Sequence, residues 1–255
     1  MIGNMTAAAQ KLNILIIEDN DADFRLTREY LNEIGSSSYE LLRARDLASA
    51  LKAVGEFKFD AVLLDLELPD SQGLSTVKEM CRRSPDSPLI VLTGLQDKKL
   101  GIESLKIGAQ DYLVKGNARG DLLEKSIYYA IERKQAEEDI RKTSQRLVAV
   151  LESLSDGFAS WDRDWRLTYV NSAAEQMFSQ SRESLLGQDV REIFPWMMQA
   201  SQGRLESSMN DLVPNMFAAY YPPSLIPVEV RVFPSNEGQS AFFRVIPARK
   251  ETHKK

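Results

Sequence analysis

The sequence predicts a doubly wound α/β domain on a five-stranded parallel sheet, then a long helical connector, then an α+β domain with an antiparallel sheet. Three observations carry this. From residue 12 to about residue 134, short Leu-, Ile- and Val-rich runs alternate five times with amphipathic stretches. From 121 to 156 the chain runs without Gly or Pro. After residue 153 come short strand-like runs, turns and all three Trp residues, at 161, 165 and 196. At 255 residues the chain exceeds the ~100–150 residues of a common single domain, so two cores are expected.

Strands are expected over residues 13–17, 40–44, 61–64, 89–92 and 112–114. Runs such as AVLL and LIVL lack polar alternation, which marks strands buried on both faces, as in a parallel sheet. Helices over 23–34, 47–54, 74–82 and 98–107 carry apolar residues on one side. The Glu, Lys, Arg, Gln and Ala of 121–156 favour one helix of roughly 50 Å. Tyr129, Ala136, Thr143 and Val150 alternate with Arg133, Ile140, Leu147 and Leu154 as a heptad. That pattern allows pairing with a second copy, or a solvated helix lying on its own domain. Beyond it, strands are expected over 158–161, 166–170, 228–233 and 241–245, with DRDW and PSNEG as hairpin corners.

Composition excludes several classes. With 43% hydrophobic and 27% charged residues the chain is an ordinary globular one rather than disordered or fibrous. A lone Cys81 and the lack of a Cys/His cluster argue against a disulfide or zinc and for a reducing cytoplasmic setting. The apolar run after the N-terminus passes directly into Glu18 and Asp19, unlike a signal peptide or membrane span. A net charge of −5 with scattered Lys and Arg gives no footprint for direct nucleic-acid binding.

An open parallel sheet binds its ligands beyond the carboxyl ends of its strands. Here the first strand ends in Glu18 and Asp19, the third in Asp65, the fourth in Thr93 and the fifth in Lys115. Three converging carboxylates repel one another unless a hard cation joins them, and an all-oxygen set suits Mg²⁺. A nucleophilic carboxylate beside it can attack a phosphoryl group. Taken singly, Asp19 reads as a helix cap, Thr93 as a strand-end hydroxyl and Lys115 as a solvated charge; five residues in agreement at separated strand ends read as a site.

The segments ILIIEDN, AVLLDLELPDSQGL, LTG and DYLVKG together resemble the CheY-like receiver domain of response regulators, a flavodoxin-like fold, over residues 12–134. The resemblance implies Asp65 as phosphoacceptor, with Asp19 and Asp65 ligating Mg²⁺ directly, Glu18 acting through water and Glu67 lending its backbone carbonyl. It also implies Thr93 as switch hydroxyl, Tyr112 as switch aromatic, Lys115 as phosphoryl-binding ammonium and a small Gly94 giving access. One departure is Gly116, where the family usually has Pro after its lysine; a trans loop holding Lys115 less rigidly is expected.

The stretch LESLSDGFASWDRDWRLTYVNSAAEQMFSQSRESLLGQDVREIFP, with VEVRVFPSNEGQSAFFRV later, resembles a PAS domain, Asn171 opening its short helices. The only histidine, His253, lies beyond the resemblance and Cys81 lies in the first domain, which disfavours haem and a cysteinyl-flavin adduct. Met177, Phe178, Trp196, Met197 and Met198 line either a pocket or, by the commoner use of such residues, a core. Val245, Ile246 and Pro247 stand where a coupling Asp-Ile-Thr signal is frequent, and no kinase, cyclase or helix-turn-helix sequence follows.

The expected domains are 11–134, a connector over 121–152 and 147–250. The expected function is a two-component response regulator, phosphorylated by a sensor histidine kinase or phosphotransfer protein. It would act as a homodimer on a downstream signalling protein. The alternative is a ligand-sensing PAS protein, or a fragment of a hybrid protein whose effector is missing. An aspartyl phosphatase is disfavoured, because Leu66 and Glu67 follow Asp65 where a second Asp would act as general acid.

Overall fold

The computed structural model describes residues 11–35, 39–94, 97–116, 120–222 and 225–246; Pro247, His253 and the expected second-domain residues 247–250 lie outside them. The chain divides into two compact units, meeting between Arg141 and Lys142.

In the first unit β1 (Leu12–Ile17), β2 (Tyr39–Ala44), β3 (Ala61–Asp65), β4 (Leu89–Thr93) and β5 (Asp111–Val114) form a parallel sheet in the order β2-β1-β3-β4-β5. The intervening helices are α1 (Asp21–Gly35), α2 (Leu47–Glu56), α3 (Leu74–Arg83) and α4 (Lys98–Ile107), and α5 (Gly120–Glu152) follows. Every residue of β3 and β4 is buried, as the unbroken apolar runs require. Alternate residues of one strand serve opposite cores. Leu15, Val62 and Val91 pack with Ala50, Val77 and Met80, whereas Ile14, Leu63 and Ile90 pack with Leu31, Leu123 and Ile127.

Helix α5 buries Leu123, Ser126, Ile127 and Ala130. Farther along, Tyr129, Ile140, Leu147 and Val150 of the heptad are 67%, 71%, 61% and 52% exposed. The helix stops at Glu152 and not near 156, because its last turn is claimed by the second unit: Asn171 Nδ2 donates to the carbonyls of Leu151 at 2.9 Å and Asp156 at 3.1 Å.

The second unit holds β6 (Gly157–Asp162), β7 (Leu167–Val170), α6 (Ser172–Phe178), α7 (Arg182–Leu185), α8 (Val190–Ile193), α9 (Pro195–Ser201), α10 (Arg204–Asp211), β8 (Asn215–Tyr221), β9 (Ile226–Pro234) and β10 (Gly238–Val245). Its antiparallel sheet runs β7-β6-β10-β9-β8. Strand β8 has no counterpart among the strands expected from sequence. Ala159, Trp161, Val228, Val230, Val232, Ala241 and Phe243 pack beneath the helices. Phe178 and Met197 are buried there, and Met177, Trp196 and Met198 pack against them, so these five residues serve the core. Asn171 is wholly buried: its Oδ1 caps α6 through Ala174 N at 2.9 Å and accepts from Phe158 N at 2.8 Å.

Candidate functional site: an acidic cluster at the carboxyl edge of the parallel sheet

Strands β1, β3, β4 and β5 of the first unit deliver the parts of the site at their carboxyl ends. Ligand oxygens of Glu18, Asp19 and Asp65 lie within 4.8 Å of one another. Glu18 and Asp65 are buried, and Asp19 is exposed. The cap of α1 explains how Asp19 stays available. Asn20 Oδ1 accepts from Ala22 N at 2.8 Å and its carbonyl from Phe24 N at 3.1 Å, so Asn20, and not Asp19, satisfies the helix end.

Lys115 Nζ stands 2.7 Å from Asp65 Oδ2, 2.8 Å from Glu18 Oε2 and 2.9 Å from Asp23 Oδ2. It is no solvated charge. Burial alone would lower its ammonium, but the contacts with Asp65, Glu18 and Asp23 raise it. Burial pushes the Glu18 carboxyl up to about 7, with Lys115 pulling it down and Asp65 pushing it further up. Glu18 Oε1 accepts from Asn20 N at 3.1 Å, and Oε2 is ion-paired with Lys115 Nζ at 2.8 Å.

Glu67 N donates to Asp65 Oδ1 at 3.3 Å, which sets the Glu67 peptide against the acceptor carboxylate. Thr93 is 1% exposed, and its Oγ1 finds no hydrogen-bond partner among the described residues. Leaving such a hydroxyl unmet costs about 1–3 kcal/mol. At Gly94 an added Cβ would come 3.3 Å from Asp97 Oδ2. Tyr112 packs against the core on the α2–α4 side, and a Cβ on Gly101 of α4 would run into its ring. Gly116 adopts φ 85°, a left-handed conformation closed to proline, and no described peptide bond is cis.

The sequence pattern places Asp23 at the start of a helix and does not point to Arg43 at all. Arg43 grips the loop between β1 and α1, donating to the carbonyls of Glu18 at 2.9 Å and Asp19 at 2.8 Å. The run EDNDAD, acidic at three positions besides Glu18, was the available signal for a loop in need of cations.

An acidic cluster with one ammonium, at the carboxyl edge of a β2-β1-β3-β4-β5 sheet, is the arrangement of a response-regulator receiver, and the second sheet with its short helices is that of a PAS fold. Residues 14–126 match the family described as response regulator receiver domain, and residues 151–250 match the PAS fold family. The chain is a receiver domain followed by a PAS domain.

Among relatives, the transcriptional regulatory protein ZraR of Salmonella typhimurium is 31% identical over 105 residues, 41% of this chain and 23% of ZraR. The transcriptional regulatory protein MalR of Bacillus subtilis is 31% identical over 104 residues, 41% of this chain and 44% of MalR. The chain thus spans about a quarter of the first and under half of the second. A CheY-like response regulator receiver domain protein from Methanospirillum hungatei has 28% identity and a TM-score of 0.44, covering 50% of this chain and 99% of that one. Receiver domains are phosphoacceptors and not classical enzymes. No helix among the described residues is long and apolar enough to cross a membrane.

Proposed function

We propose that the protein is a two-component response regulator in which Asp65 accepts a phosphoryl group from a partner histidine kinase or phosphotransfer protein. The observation carrying this reading is the gathering of Glu18, Asp19 and Asp65 within 4.8 Å beside the Lys115 ammonium. A carboxylate oxygen of Asp65 bonds to phosphorus as the donor's P–N bond breaks, giving an acyl phosphate and freeing the imidazole. Lys115 offsets charge on the phosphoryl oxygens, and the unpartnered Thr93 hydroxyl donates to one of them after transfer.

The donor set fits a hard divalent cation: it is all oxygen, the ligand oxygens of three carboxylates lie within 4.8 Å of one another, and two of those carboxylates are buried. Glu18, Asp19, Asp65 and the Glu67 carbonyl would hold Mg²⁺, which supplies charge neutralisation at the phosphoryl group. The output we propose is a shift of Thr93 toward the phosphoryl group, with Tyr112 filling the vacated space and altering the face formed by α4, β5 and α5. We assign residues 11–134 to the receiver, 121–152 to the connector and 147–250 to the PAS domain. The exposed heptad supports a homodimer, and the PAS domain supplies the contact with a downstream signalling protein. A cytoplasmic setting without direct nucleic-acid contact completes the reading.

Intact mass after incubation with acetyl phosphate and Mg²⁺, alongside light scattering, tests it. A single phosphoryl adduct is expected in the wild type and none in Asp65→Asn, with a change in size on phosphorylation. No adduct under fast quench would remove the acceptor role.

A further inference from the structure

The acidic loop between β1 and α1 is a difficult piece of backbone to hold. It must present Glu18 and Asp19 toward Asp65, although three like charges at this spacing repel. Strand β2 lies at the edge of the sheet beside β1, with Arg43 opposite Ile16 and Ala44 opposite Ile17. Its end therefore stands next to the loop. The Ala44 carbonyl accepts from Glu18 N at 3.0 Å, fixing one side of that residue. The Arg43 guanidinium takes the other side, Nε donating to Glu18 O at 2.9 Å and Nη2 to Asp19 O at 2.8 Å.

The guanidinium is itself fixed. Its Nη1 donates to Asp21 Oδ1 at 2.6 Å, and its Cζ lies 4.5 Å from the centroid of the Phe24 ring. Both anchors are on α1. Its side chain is only 15% exposed. Arg45, by contrast, is 61% exposed and pairs with Asp21 at 2.9 Å, with no bond to the loop carbonyls among the described residues. A planar fork whose Nε and Nη2 face consecutive carbonyls while Nη1 holds Asp21 is available to Arg and not to Lys, whose three donors all radiate from one nitrogen.

We propose that Arg43 is a positioning residue for the divalent-cation site: by clamping the carbonyls of Glu18 and Asp19, it holds their carboxylates against their mutual repulsion. The inference rests on the cation site proposed above. Removing a group that orients ligands in this way typically weakens metal binding by about 10–100-fold.

The test is Mn²⁺ binding to the unphosphorylated full chain, read by electron paramagnetic resonance, in Arg43→Met, Arg43→Lys, Arg45→Met and Asp65→Asn. The Mn²⁺ Kd is expected to rise about tenfold in Arg43→Met. Arg43→Lys, which keeps the charge and an alkyl stem, should weaken binding nearly as much, and it carries the test if Arg43→Met folds poorly. Arg45→Met should match the wild type. A Kd within twofold of wild type in both Arg43 variants, while Asp65→Asn weakens binding, overturns the positioning role and leaves the cation site standing. A wild type that binds no more Mn²⁺ than Asp65→Asn removes the site, and the role of Arg43 with it. Loss of affinity in Arg45→Met equal to that in Arg43→Met would reduce the effect to general charge and also overturn the proposal.

Discussion

Replacing Glu152 with Gln should destabilise the second unit by about 2–3 kcal/mol. The carboxylate accepts from Ser172 N at 2.9 Å, Ser172 Oγ at 2.6 Å, Tyr169 OH at 2.7 Å and Arg182 Nη2 at 3.0 Å. Hydrogen bonds to a charged group contribute about 1.5–3 kcal/mol each, against ~1 for neutral pairs, and the amide also turns a donor toward donors. Two things reduce the loss: Glu152 is 25% exposed, so solvent screens it, and Arg182 keeps Glu175 at 2.8 Å. All three Trp residues lie in this unit, so their fluorescence follows its unfolding alone. In a unit of this size the loss corresponds to a drop in Tm of roughly 10 °C. The hydrogen bonds from Ser172, foremost among its partners, hold the Glu152 carboxyl down at about 2. A depressed carboxyl stabilises fully above its ordinary value near 4.5 and loses that contribution as pH falls toward 2, so the wild-type advantage should shrink over that window. A Tm within about 2 °C of wild type at neutral pH would refute the accounting.

Three other outcomes are expected. Phe178→Ala should destabilise the same unit by about 3–5 kcal/mol in urea unfolding, since it empties a ring packed on Phe194, Phe243 and Tyr221. Calorimetric titration with Mg²⁺ should show affinity rising by up to about tenfold per unit from pH 6 to pH 7 and levelling above, because a carboxyl raised to about 7 at Glu18 must lose its proton to bind a cation. Gly116→Ala should cost about 1–2 kcal/mol in thermal unfolding of the receiver through backbone strain alone, as a Cβ there meets nothing within 4 Å; Gly116→Pro should cost more.

Much of the receiver could be read in advance because four of its strands are apolar runs that end abruptly on reactive side chains: ILII on Glu18, AVLL on Asp65, LIVL on Thr93 and YLV on Lys115. The topology then brings those ends to one edge. What escaped was tertiary. Asp23 and Lys115 are 92 residues apart, and Arg43 reaches a loop on the neighbouring strand, so no local pattern announces either contact. The choice between Asp19 and Asn20 as cap rests on a tandem of two good capping residues, which sequence does not separate. Strand β8 hid because Met216, Ala218 and Tyr220 on its outer face are as apolar as Phe217, Ala219 and Tyr221 within, leaving no alternation to detect.

The meeting of Gly101 with Tyr112 has a mechanical consequence. The ring occupies the place where any side chain on residue 101 would have to stand. Helix and ring therefore share one tolerance: one methyl group added at that point is a wedge, and either the tyrosine swings away or α4 backs off. Gly101→Ala is thus a handle for moving this face of the receiver by carpentry, with no phosphodonor present.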